Sequence, residues 1–141
     1  MNLRAALMLA ALLLPGQLPA QVLVVNRTLP AQTVIGPQDV SLQDGDVPGA
    51  HRAVEDAVGL ETRVTLYPGR PVRLGDLGPA AVVERNEIVT LRFRSGALVI
   101  ETAGRALDRA ALDRGVRVMN LGSRTTVTGT ARGPGLVEVG R

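Results

Sequence analysis

"NRTLPAQTVIGPQDV", Asn26–Val40, places Pro30 and a Gly36-Pro37 pair between two short apolar runs. Its pieces recur downstream. Thr28-Leu29 returns as Thr65-Leu66 and Asp39-Val40 as Asp76-Leu77, each 37 positions on, while Pro30–Val34 matches Pro68–Val72 one position further displaced. Read physically, the repeated unit is a strand, a proline-fixed turn, a second extended piece and a short helical turn. Gly36 is placed to cap that turn, and Pro37 to occupy its first position, where a missing N–H costs nothing. Asp39 and Asp76 then fall in a first turn, where free amides and the helix dipole favour a carboxylate.

The chain around this unit reads as mainly β. Gly and Pro punctuate it every eight to twelve residues, and the runs between are rich in Val, Leu, Ile and Thr. The expected strands are Val22–Asn26, Thr62–Leu66, Glu87–Arg94, Ala97–Ala103, Val116–Leu121, Thr125–Arg132 and Leu136–Gly140. In "EIVTLRFR", Val89, Leu91 and Phe93 alternate with Ile88, Thr90, Arg92 and Arg94, which predicts one buried and one wet face. Arg94-Ser95-Gly96-Ala97 predicts a hairpin turn, and "RGPGLVEV" another. The longest helical pattern is "GAHRAVEDAVG", Gly49–Gly59, with Ala53, Val54, Ala57 and Val58 at helical spacing and Gly59 as its stop; it predicts two turns at most.

The first twenty residues, "MNLRAALMLAALLLPGQLPA", have the layout of a secretory signal: Arg4, an apolar run Ala5–Leu14, a Pro-Gly break and a small residue at Ala20. The apolar run is about ten residues, half of what a bilayer-crossing helix needs, so no stable membrane insertion is expected. Leu18 and Ala20 at −3 and −1 place cleavage between Ala20 and Gln21. The chain is thus expected to be exported and, having no Cys, to hold together through its aliphatic core alone.

Composition narrows the function. All 16 basic residues are Arg, and removing Arg4 with the leader leaves 15 against 13 acids, a net charge of +2. With one Phe, one Tyr and no Trp, there is neither the strongly basic face nor the aromatic platform that nucleic acid requires. His51, the single histidine, has no ligand cluster or nucleophile at useful spacing and reads as a surface residue at a helix start. Ser95 and Ser123 read as turn residues, adjacent Glu55 and Asp56 diverge on a helix, and the GPG at 133–135 lacks the length and Lys of a phosphate loop. No enzyme activity, metal or cofactor is expected. The arginines from Arg92 onward, beside only Glu101, Asp108, Asp113 and Glu138, fit either a solvated sheet face or a partner surface. Pro30, Pro37, Pro68 and Pro71 set turns. Open strand edges would allow binding by strand addition, and transient self-association by the same route.

Several of these stretches resemble a known family. Thr28-Leu29-Pro30-Ala31 with Pro37–Val40 resembles the opening of the SAF, or β-clip, module, and "GLETRVTLYPGRPVRLGDL", Gly59–Leu77, its second half. "GRALDRAALDRGVRVMNLGSRTTVTGTARGPGLVEVG", Gly104–Gly140, resembles the C-terminal part of the FlgA family of flagellar basal-body P-ring formation proteins, in the short form that lacks an extra N-terminal domain. Where that family commonly has Gly before the "EIVTL" strand this chain has Asn86, and it has Ala110, Leu112 and Arg114 around Asp113 where Gly-rich turns are usual.

The resemblance implies a signal at 1–20, a SAF/β-clip lobe at 21–80 and a small antiparallel, barrel-like β lobe at 81–141, with one or two short helices. It implies a non-enzymatic periplasmic chaperone that binds the flagellar P-ring subunit. Within the most specific stretch, Arg117, Asn120, Ser123 and Arg124 are the candidate partner-binding residues. The alternatives are a pilus-assembly protein of SAF type, which would carry further domains and often an anchor, and a glycan-binding module, which would want exposed aromatics.

Overall fold

The computed structural model describes residues 20–140, so the expected leader lies outside the described residues except for Ala20. The described residues form eleven strands and two short 3₁₀ turns. The first part contains β1 (Gln21–Val25), β2 (Val40–Asp44), β3 (Leu60–Thr62) and β4 (Leu77–Pro79), paired antiparallel as β1–β2 and β3–β4.

The repeat read in the sequence is a structural two-fold. Val25 faces Val40 in the first pair, and Thr62 faces Leu77 in the second, both partners displaced by 37. The two copies also bond to each other reciprocally. Leu29 and Leu66 exchange N–H···O=C bonds of 2.9 and 2.8 Å. The Val25 N–H donates to Arg70 C=O, and its equivalent Thr62 N–H donates to Thr33 C=O. Val72 donates to Leu23 and Ile35 to Leu60, again equivalent bonds.

One spacing of 37 therefore holds throughout, which corrects the displaced proline match: Ala31, not Pro30, is the counterpart of Pro68, and the next pair, Gln32 and Gly69, both take positive φ (66° and 76°). The equivalent side chains Leu29 and Leu66, Ile35 and Val72, Val40 and Leu77 are all buried in one core. Each such burial stabilises by about 2 kcal/mol relative to exposure.

The two short helical turns are 3₁₀ turns at Pro37–Asp39 and Leu74–Asp76. In both, the aspartate closes its own turn: Asp39 Oδ2 accepts the Gly36 N–H at 2.9 Å, and Asp76 Oδ2 accepts the Arg73 N–H at 3.2 Å.

Three expectations fail in this part. Gly49–Gly59 is not a helix; Val54 C=O accepts the Ala57 and Val58 N–H groups in a single turn, and Gly59 at φ 84° leads the chain straight into β3. His51 is buried rather than superficial, its main chain bonded to Leu23 and Val72 and its Nε2 without a partner. The expected strand at 62–66 also breaks after Thr62, because the Arg63 N–H turns to Asp76 C=O and only Leu66 resumes pairing.

The second part is a closed five-stranded barrel of β6 (Ile88–Ser95), β7 (Leu98–Ala106), β9 (Gly115–Asn120), β10 (Thr126–Gly133) and β11 (Leu136–Val139), in the order β10-β11-β6-β7-β9. Beside it, β5 (Ala81–Val83) pairs with β8 (Ala110–Ala111). An odd number of strands cannot alternate direction all the way round, so one seam must be parallel. That seam is β11–β6, a departure from the expected all-antiparallel lobe. Val89, Leu91, Val116, Val118, Ala131 and Val137 fill the interior. Gly104 and Gly129 are there because a Cβ on either would press into it, at 2.5 Å from Val118 and 2.6 Å from Val137. The turns preceding β6 and β9 use left-handed Asn86 (φ 68°) and Asp113 (φ 60°), residues that tolerate this conformation better than most.

Candidate functional site

Buried acids are the usual first candidates for chemistry, but here they hold the fold. Asp39 is almost wholly buried; burial pushes its carboxyl up, yet the Gly36 N–H and the Arg27 guanidinium at 2.7 Å outweigh this and hold it below the usual range. Glu61 is held low chiefly by Arg109, against burial, and also accepts the Ala81 N–H at 3.2 Å. Arg109 grips both Glu61 oxygens and, through Nε and Nη2, both oxygens of Glu84 at 2.6 and 2.9 Å. The result is a clasp between the β3 region and the barrel. Among the described residues no cluster of three or more His, Cys, Asp or Glu is placed to hold a metal ion.

The four residues singled out in the sequence divide. Asn120, Ser123 and Arg124 form one tight turn between β9 and β10. Asn120 Oδ1 accepts the N–H groups of Gly122 (2.8 Å) and Ser123 (3.2 Å), Ser123 Oγ accepts the Thr125 N–H (3.4 Å), and Arg124 sits at φ 60° with its N–H on Asn120 C=O. Arg117 is not with them: it points outward from β9 and is committed to Asp108 by two bonds of 2.7 and 2.8 Å. Of the other late arginines, Arg92 pairs with Glu101, and Arg132 with Asp113 and Glu138.

The feature that sequence reasoning missed is apolar. The interior-facing positions of the barrel continue past its packed core into a mouth of about 210 Å³, lined by Phe93, Ile100, Thr102, Asn120, Val127 and Val139. The β6–β7 hairpin projects beyond this mouth, and Leu98, Val99 and Ile100 on it are 55%, 48% and 50% exposed. A contiguous exposed apolar run of this kind is a candidate interaction surface. The sequence carried a signal for it: "LVI" breaks the apolar/polar alternation that a half-buried strand would keep. The Asn120–Arg124 turn borders the same mouth, since Asn120 lines it.

The described residues thus form a pseudo-two-fold β part joined to a closed barrel with an apolar mouth and an exposed apolar arm. The chain belongs to the family described as "Chaperone for flagella basal body P-ring formation", whose pattern matches residues 20–139. It is 32% identical over 124 residues to flagellar protein FlgA of Rhizobium meliloti, across 86% of this chain and 71% of that protein. It is 29% identical over 122 residues to the distal basal body ring component protein of Caulobacter vibrioides, covering 85% of this chain but only 46% of that longer relative. Among solved structures, Salmonella FlgA in open form superposes with a TM-score of 0.75 at 21% identity, over 84% of this chain and 59% of that one. FlgA from Thermotoga maritima gives 0.63 at 22%, over 86% and 45%. These likenesses carry the fold, and the family match runs against the pilus-assembly and glycan-binding alternatives.

Proposed function

We propose that this chain is a periplasmic chaperone that binds the flagellar P-ring subunit, masks one of its assembly surfaces and releases it as the ring closes round the rod, without enzymatic turnover. The observation that carries this reading is the exposed apolar arm and mouth of the barrel, in a chain of the P-ring chaperone family. The signal-like first twenty residues support export, and among the described residues no helix is long and apolar enough to cross a membrane. In this reading residues 21–80 are the β-clip lobe and 81–141 the barrel lobe. Their cores are separate clusters, and the Arg109 clasp ties one to the other. The turn of Asn120, Ser123 and Arg124 takes part by bordering the mouth, whereas Arg117 serves its pair with Asp108.

The test is capture of the P-ring subunit of the same organism by residues 21–141, alongside motility of a deletion strain. Binding together with motility loss on deletion is the expected result. Motility loss without detectable binding would remove the chaperone mechanism and leave the family assignment standing.

A further inference from the structure

We infer that the partner segment binds as an added strand on the free edge of β7, at Val99 and Glu101, with its alternate side chains entering the barrel mouth. This rests on the chaperone reading above and names where and how the subunit is held.

The edge is defined by register. β7 pairs with β6 along its length, from Ser95–Leu98 to Ile88–Arg105, but with β9 only from Gly104 to Ala106. The last link on that side is the Leu121 N–H to Ala103 C=O, 3.1 Å, where the β9–β10 turn begins. Main-chain groups of a strand alternate sides, so those of Glu101 and Val99 point the same way as Ala103's and meet no strand. Natural edges are protected by Lys, Pro, bulges or inward charges. This one presents Leu98, Val99 and Ile100 with no Lys, Pro or bulge, and its one charge, Glu101, is neutralised by Arg92.

An added strand would continue the line of β9 past its turn. Its inward side chains would lie beside Ile100 and Thr102, over the mouth also lined by Phe93 and Val139. Those positions call for aliphatic residues. On the outward face Arg94 stands cross-strand from Val99 on β6, one strand removed from the added segment but within reach of a long side chain, and Arg124 lies on the adjoining turn, neither with an acidic partner among the described residues. Glu101, the carboxylate on this stretch of β7, is already bound by Arg92 at 2.7 Å. The occupant is therefore an extended segment of the ring subunit, aliphatic on one face and acidic on the other.

Val99→Pro tests this directly. The Val99 N–H faces the empty side, so proline there removes the donor an added strand needs while leaving the hairpin's own bonds intact. Calorimetry of residues 21–141 against the P-ring subunit should show Val99→Pro weakening binding by at least about tenfold, with Val99→Thr changing it much less. Arg94→Glu, which leaves the backbone alone, should weaken binding several-fold at low salt and progressively less as salt rises. Unchanged affinity in both Val99→Pro and Arg94→Glu, with wild type binding normally, would overturn the edge and leave the chaperone reading intact. Absence of wild-type binding would instead fail that reading first. A wild-type dimer in sedimentation that Val99→Pro abolishes would make the occupant a second copy and overturn the inference.

Discussion

At the scale of single residues, equal sequence positions in the two halves carry unequal weight. Asp39 and Asp76 close equivalent turns, but Asp39 is buried with an arginine on it, whereas Asp76 is only partly buried and has no such ion pair. Asp39→Ala should cost about 2 kcal/mol in urea denaturation, leaving the part-buried Gly36 N–H unmet and removing the Arg27 pair, and Asp76→Ala no more than about half of that. Arg109 is the other such residue. Arg109→Ala strands the Glu61 carboxylate, and a loss of about 2 kcal/mol is expected, less than full burial would give because Arg109 keeps contact with water.

That loss should depend on pH in a definite direction. The folded-state carboxyls of Glu61 and Asp39 titrate below their unfolded values, so their stabilisation is complete above the ordinary carboxylate range near about 4 and is lost as pH falls through the folded values. The gap in unfolding midpoint between wild type and Arg109→Ala should accordingly narrow in acid; a gap that widens there would contradict the role given to Glu61.

At the scale of elements, strands were legible wherever alternation was clean, and illegible where pairing was short. β6, β9, β10 and β11 follow the expected segments closely, because a half-buried barrel strand imposes period two on its residues, and β7 follows its segment although its LVI run breaks that period. β4, β5 and β8 are two or three residues long, too short to show any period. The helical pattern at Gly49–Gly59 misled for the opposite reason: Ala57 is buried by tertiary packing, and one turn suffices to place it. The glycines show the same dependence on neighbours. A Cβ at Gly129 would lie 2.7 Å from the Glu138 carbonyl oxygen, a backbone atom that cannot swing away, whereas at Gly115 the nearest atom is 4.0 Å off. Gly129→Ala should destabilise the barrel by about 2 kcal/mol, and Gly115→Ala should stay within about 0.5 kcal/mol in the same thermal melts.

At the scale of the whole molecule, the sequence by itself determined the β class, the two-fold duplication and the family. Each is written locally: in turn residues at fixed offsets, in aspartates that cap their own turns, and in aliphatic alternation. That Ser123 sits in a turn was legible for the same reason, since a tight turn is made by neighbours in the chain. Only the tertiary structure decided that Arg117 is occupied by Asp108, that His51 is buried, that Arg109 bridges Glu61 and Glu84, and that five strands must close with one parallel seam. It alone decided that β7 outruns β9 and leaves an apolar edge beside an unfilled mouth. Which polar groups meet, and which edge remains unpaired, depends on residues brought together from distant parts of the chain, and no local pattern encodes that distance.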